Sequence, residues 1–257
     1  MRRNKELSLG PSVPCLSCET FTLVVPTLNE AGNIESVLRR VQNALEPLPL
    51  LYEVIVVDDG STDGTPDIVR ACCASDSRIR LISRQNQRGL AGAVVHGWLY
   101  SDADLLGVMD ADLQHPPELL PSLLEAMCQG YDIAIASRYA GKNATRGWNP
   151  VRAVISRVST LAALPLLQRR ELRIEDPMSG FFVVRREAID GVSFETRGFK
   201  LLLEILVRAR LRSAREIPFH FGVRTAGKSK AGAAVALHYL HLLGKLSRDL
   251  MLRPSPQ

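Results

Sequence analysis

Five short runs, FTLVV (21–25), EVIVV (53–57), IRLIS (from Ile79), LLGVM (105–109) and DIAIAS (132–137), punctuate the first half of the chain, and helical text fills the intervals. Most are continuous in Val, Ile and Leu rather than alternating with polar residues, the mark of strands buried on both faces. Between the first two, Ile34, Val37, Leu38, Val41 and Leu45 recur at helical spacing, so NIESVLRRVQNAL is an amphipathic helix and the chain opens with a βαβ unit. Further helices are expected in TPDIVRACCA, with Thr65 as N-cap and Pro66 in the first turn, in LAGAVVHGWLYSDA, and in PPELLPSLLEAMCQ. Alternation this regular predicts an α/β fold with an open, mostly parallel sheet covered by helices.

After Arg138 the rhythm changes. GKNATRGWNP is turn-rich, VRAVISRVSTLAALPLLQRR reads as helical to about Pro165, GFFVVRR as a strand, KLLLEILVRARL as a helix and REIPFHF as a strand. RTAGKSKAG is a basic loop, and a last helix is expected over about 232–250. The expected organisation is a tail over 1–20, one domain over 21–235, and a C-terminal amphipathic helix and tail over 236–257. A chain of 257 residues, 46% apolar and 23% charged, has the length and composition for one such core.

The net charge of +5 conceals an asymmetry. Residues 1–137 carry 10 Lys and Arg against 18 Asp and Glu, a net of −8, and the remainder carries 22 against 9, a net of +13. An acidic half suits a cation and a basic half suits phosphates or an anionic membrane, with scattered solvated charge as the plainer account. Of the five cysteines, Cys15 and Cys18 form a lone CxxC without a second ligand pair, and Cys72 and Cys73 lie in an apolar helical stretch as small hydrophobes. Such an unpatterned set fits a reducing compartment. The first twenty residues lack the apolar core of a signal peptide, and the uncharged run AGAAVALHYLHLLG is too short to span a bilayer.

In open α/β sheets ligands bind beyond the carboxyl ends of the strands. Three strands here end in distinctive polar text: VVPTLNE, VVDDGSTDGT and VMDADLQ. The two-residue period of a strand sends Asp110 and Asp112 toward one side, and two neighbouring carboxylates repel unless a cation or proton lies between them. Mg²⁺ or Mn²⁺ prefers such hard oxygens and keeps positions for substrate phosphates, and Gln114 can add a carbonyl. The alternative is a capping acid beside a surface acid. Asp58 is a candidate hydrogen-bond acceptor for a nucleobase or ribose, whereas Ser61, Asp63 and Thr65 are accounted for by turn and capping chemistry. Glu30 offers a similar contact after Pro26, against a plain helix start.

These stretches, with NQRGLAGAVVHG, SRYAG, DPMSGFF, GFKLLLEIL and EIPFHFGVRTAGKSK, resemble the family 2 glycosyltransferases of GT-A fold, over roughly residues 21–235. Within them the resemblance is to the polyprenyl- and dolichyl-phosphate mannose synthases. It implies a Rossmann-like sheet and inverting transfer of a hexose, mannose foremost, from a nucleotide diphosphate sugar such as GDP-mannose to a lipid phosphate. It implies that Pro26, Glu30, Val56, Asp58 and Ala111 line the nucleotide-sugar pocket, that Asp110, Asp112 and Gln114 hold Mg²⁺ or Mn²⁺, and that Arg138, Arg224 and Lys230 contact phosphates. Asp110, Asp112 and Arg138 are thereby the catalytic candidates. Leu28 departs from the pattern, since relatives often carry Tyr there.

The chemistry agrees with that assignment. A departing nucleoside diphosphate gathers negative charge, which a metal and placed Arg or Lys side chains offset. A lipid monophosphate, with a second pKa of about 6 by analogy with phosphorylated side chains, is already largely dianionic near neutrality and needs positioning rather than a base. Asp176 becomes a candidate base if the acceptor is a hydroxyl, whereas His115 and His220 fit structural roles. Three accounts thus stand: a lipid-phosphate acceptor, a saccharide or protein hydroxyl acceptor, and a nucleotide-binding module without turnover. An NAD-dependent Rossmann enzyme is disfavoured because no G-x-G-x-x-G follows the first strand. The expected partners are a nucleotide sugar, a lipid phosphate and a membrane surface or anchoring subunit, with no nucleic acid, at the cytoplasmic face of a membrane. Apolar stripes at Val151, Val154, Ile155, Val158 and Leu161 and at Leu237, Tyr239, Leu240, Leu242, Leu243 and Leu246 suit either a membrane surface or core packing.

Overall fold

The computed structural model describes residues 19–85, 89–140, 162–163, 165–167, 172–195, 200–219 and 233–252. Arg224, Lys230, the RTAGKSK loop, the CxxC pair and the 151–161 stripe lie outside the described residues. The chain runs β1 (Thr20–Thr27), α1 (Ile34–Leu45), β2 (Leu51–Asp58), α2 (Thr65–Ser75), β3 (Ile79–Ser83), α3 (Leu90–Leu99), β4 (Leu105–Val108), α4 (Leu120–Cys128) and β5 (Ile133–Ser137). It continues with β6 (Phe182–Arg185), the single turn α5 (Arg186–Ile189), α6 (Leu201–Arg208), β7 (Ala214–Pro218) and α7 (Ala233–Leu252).

Among the described residues the strands form one seven-stranded sheet in the order β3-β2-β1-β4-β6-β5-β7. The expected α/β class and mostly parallel sheet are observed, with β6 alone antiparallel to both neighbours. Strand periodicity divides the core between the two faces. Leu23, Val25, Val54 and Val56 pack on the α1 and α4 side, whereas Val24, Ile55 and Val57 pack on the α3 and α6 side. Burial on both faces is what made these strands continuous apolar text. Gly97 lets α3 lie close on β1 and β2: a Cβ there would come within 2.8 Å of Val24 Cγ2.

Several local expectations are corrected. The N-cap of α2 is Gly64, at φ +90°, and Thr65 is the first helical residue. Its hydroxyl instead donates to Asp63 and accepts from the Glu30 amide. Helix α3 stops at Leu99, short of YSDA, because Asp104 is drawn to the Thr20 amide and hydroxyl and Ser101 to the Thr22 hydroxyl. Residues 162–163 and 165–167 are helical, in line with the helix expected to about Pro165.

Helix α7 packs Tyr239, Leu242 and Leu246 into the same core as α3 and α6, so for these three core packing prevails over a lipid-facing stripe. Its exposed residues include His241, Lys245 and Arg248. Arg208 on α6 joins Asp249 on α7 and the buried Glu204. Among the described residues no helix is long and apolar enough to cross a membrane.

Candidate active site

The topology gathers the polar segments at one edge. Strands β1 and β4 are adjacent although the chain passes through β2 and β3 between them, so the sheet changes winding direction there and opens a crevice. Because β6 is antiparallel, its beginning lies beside the ends of its neighbours: Phe182 pairs with Val108, and Ala136 donates to the Phe181 carbonyl. The segments after β1, β2, β4 and β5 and the segment before β6 therefore share one rim.

The first two loops are laced together. Asn29, at φ +59°, donates its amide to Ser61 Oγ and accepts from Thr62 N at Oδ1. Ala31 N donates to Asp63 Oδ2 at 3.0 Å. Asp58 is 1% exposed; its Oδ1 accepts from Gly60 N and Ser61 N and its Oδ2 from the Thr27 and Ser61 hydroxyls. Its carboxylate is thus an internal organiser of the loop. Val56 is fully buried in the core beneath the rim. Pro26 and Glu30 are half-buried at the rim, and Glu30 Oε2 accepts from Asn33 Nδ2.

Strand β4 ends at Val108, so Asp110 and Asp112 sit on a loop and not on the strand that the two-residue period assumed. The loop is sharply shaped: Leu113 has φ +60°, and Gln114 N donates to Asp112 Oδ1 at 3.1 Å. A non-glycine residue in this region is a local strain of the kind that concentrates at functional sites. Ala111 and Gln114 are buried, and the Asp110 side chain is 30% exposed. Two carboxylates with an amide carbonyl make a hard-oxygen donor set of the type Mg²⁺ and Mn²⁺ accept. Among the described residues no three His, Cys, Asp or Glu side chains cluster as a metal cage.

Arg138 closes on Asp176. Its Nε donates to Oδ2 at 2.7 Å, its Nη2 to Oδ1 at 2.6 Å and its backbone N to Oδ2 at 2.9 Å. Asp176 is 0% exposed, and Glu216 holds the backbone there by accepting from Glu175 N and Asp176 N. His115, also buried, sits against the rings of Phe181 and Phe219 with its Nδ1 3.6 Å from Asp110 Oδ2. Burial, then the charge of Arg138, brings its pKa down to about 3, so the ring is neutral in ordinary buffers.

Lys200 is a residue the sequence did not single out. It lies at the N-cap of α6, half-buried, within electrostatic range of Arg138, Asp176 and Asp110. Burial and then Arg138 lower its pKa to about 8. Its one signal was the motif GFKLLLEIL, in which a lysine ahead of an apolar helix reads as an ordinary surface cation. The pair of Arg84 and Asp59 was likewise unforeseen: both are buried, bonded twice through side chains, and Asp59 also accepts from Gly89 N.

Against known proteins, residues 22–192 match the Glycosyl transferase family 2 profile. The chain is 39% identical over 230 residues to dolichol-phosphate mannosyltransferase of Pyrococcus furiosus, covering 88% of this chain and 63% of that relative. It is 36% identical over 236 residues to the protein of the same name from Saccharomyces cerevisiae, covering 88% of this chain and 86% of the relative. Glucosyl-3-phosphoglycerate synthase from Mycobacterium tuberculosis, solved in complex with UDP, superposes with a TM-score of 0.66 at 21% identity, covering 99% of this chain and 88% of that one. The same synthase with Mn²⁺, UDP-glucose and phosphoglyceric acid gives 0.64 at 21% identity, covering 97% and 88%. At that identity the likeness carries the fold, and the fold is the expected GT-A architecture. By profile and by relatives, the chain belongs to glycosyl transferase family 2 and is a glycosyltransferase.

Proposed function

We propose that the protein transfers a mannosyl unit, with inversion, from a nucleotide diphosphate sugar, GDP-mannose foremost, to a dolichyl or polyprenyl phosphate. The names of the two relatives support the sugar and the lipid, and the observation that carries the acceptor class is the state of Asp176. A general base must present a carboxylate to the hydroxyl it deprotonates. Asp176 is 0% exposed with both oxygens engaged by Arg138, so this carboxylate is not presented to a hydroxyl acceptor as a base. A phosphate acceptor is nucleophilic as it stands and asks only to be positioned.

In this reading Asp110, Asp112 and Gln114 hold Mg²⁺ or Mn²⁺, which when bound offsets charge on the donor diphosphate. Arg138, its plane set by Asp176, and Lys200 direct positive charge at the phosphates, and Arg224 and Lys230 join them from the basic loop. Pro26, Glu30, Ala111 and the loop organised by Asp58 receive the nucleoside. The attacking phosphate oxygen bonds to the anomeric carbon as the bond to the nucleoside diphosphate breaks. The lipid chain of the acceptor calls for peripheral association at the cytoplasmic face of a membrane, directly or through an anchoring subunit.

The test is an assay of the purified full chain with GDP-mannose, a short polyprenyl phosphate and Mg²⁺ or Mn²⁺, against UDP-sugars and against hydroxyl acceptors. Product that appears only with the lipid phosphate supports the proposal. Turnover with a saccharide acceptor, or nucleotide binding with no turnover, defeats it.

A further inference from the structure

A residue must be glycine either because its backbone angle demands it or because a side chain would have no room. Gly180 is not among the positive-φ residues, so its backbone suits any residue. Space is the constraint, and it has one source. An ideal Cβ at Gly180 would stand 2.7 Å from Asp110 Oδ2, 3.2 Å from Asp110 Cγ and 3.4 Å from Asp110 Oδ1. By contrast, the close approaches at Gly97 and Gly107 are to core side chains.

The glycine cannot retreat from that contact. Ser179 N donates to the Asp176 carbonyl, Phe181 N donates to Ser179 Oγ, and the Phe181 ring is fully buried. The partner that can give way is the Asp110 carboxylate, the end of a partly exposed side chain on a loop. A methyl group at 180 therefore costs the fold little and displaces the carboxylate.

We propose that Gly180 is a positioning residue for Asp110: its missing side chain is the seat of that carboxylate, and His115, 3.6 Å from the same oxygen, is the neighbouring wall. This rests on the reading of Asp110 as a ligand of the metal that accompanies the donor. Groups that orient ligands from behind are worth about 10- to 100-fold in metal affinity or activity.

The experiment titrates Mn²⁺ into the full chain in the presence of GDP, following the free-ion EPR signal, and records thermal unfolding alongside. Gly180→Ala is expected to unfold at or above the wild-type midpoint, because alanine restricts the unfolded chain, and to bind Mn²⁺ about 10-fold or more weakly. In an Asp110→Ala background the same change is expected to add no further loss, since coupled residues are not additive. Should Gly180→Ala unfold the chain, Asp110→Ala is expected to restore its midpoint by removing the atoms the methyl group meets. Wild-type-like Mn²⁺ binding by Gly180→Ala, an equal loss in the Asp110→Ala background, or an unrestored midpoint each overturns the inference alone. A wild-type chain that takes up no Mn²⁺ with GDP overturns the metal reading of the site, and this inference with it.

Discussion

Arg138 and Asp176 are joined three times, twice through the guanidinium and once through the Arg138 amide, and the carboxylate at the centre of that junction is wholly buried. Breaking a buried pair leaves a charge without compensation and costs about 3–5 kcal/mol. Asp176→Asn keeps the shape and removes the charge. It is expected to lower the denaturant midpoint and to reduce kcat/KM on the order of 100-fold through misplaced Arg138. The acidic limb of the pH–rate profile is expected to keep its position, whereas loss of a general base would erase it.

Lys200 gives a pH signature with a defined sign. Its folded pKa is about 8 against an ordinary 10.5, so between these values the unfolded chain holds more protons than the folded one. Stability from this group therefore rises with pH across that window and is withheld below it. Lys200→Met is expected to raise the melting temperature near pH 7, flatten the rise above pH 8, and lower transfer to the lipid phosphate. Lys200→Arg is expected to keep activity at pH values where the wild type declines. A Lys200→Met variant as active as wild type would remove this residue from the site.

Metal removal tests the loop after β4. Chelation is expected to abolish transfer and added Mn²⁺ or Mg²⁺ to restore it. Asp110→Asn and Asp112→Asn are each expected to lower kcat/KM about 100-fold or more, the several kcal/mol a positioned cation contributes. Asp112→Asn activity equal to wild type with Mn²⁺ or Mg²⁺ supplied would defeat the metal assignment.

The Arg84–Asp59 pair predicts a difference between single and double variants. Arg84→Met leaves Asp59 buried with the Gly89 amide but without its cation, and is expected to cost about 3–5 kcal/mol in urea unfolding. Replacing both partners by apolar residues is expected to recover most of that loss, because an apolar pair carries no desolvation penalty.

Helix α7 tests the proposed division of the chain at residue 235. Leu246 is fully buried in the shared core, so Leu246→Ala is expected to cost about 2–5 kcal/mol. Truncation after residue 235 is expected to destabilise the whole domain. A Leu246→Ala protein of unchanged stability that no longer binds lipid vesicles would place this residue on a lipid-facing surface instead.

The sequence by itself determined the layers. Strands buried on both faces must be written as apolar runs, and helices covering them must carry stripes such as Ile34, Val37, Leu38, Val41 and Leu45, so these elements and the rim where they end were legible. The loop text VVDDGSTDGT and VMDADLQ was legible as chemistry, and the family followed from it. Only tertiary structure decided which carboxylates are inward and which outward. Asp58 and Asp176 are 1% and 0% exposed because their partners, Ser61 and Arg138, are brought to them by turns and by strands distant in the chain. It likewise decided that Lys200 lies within electrostatic range of Asp110 and Arg138, that α7 packs into the core, and that Gly180 abuts the Asp110 carboxylate. Each depends on contacts between residues far apart along the chain, and such contacts leave no periodicity in a single sequence, since their spacing is set by how the layers pack rather than by the repeat of any one element.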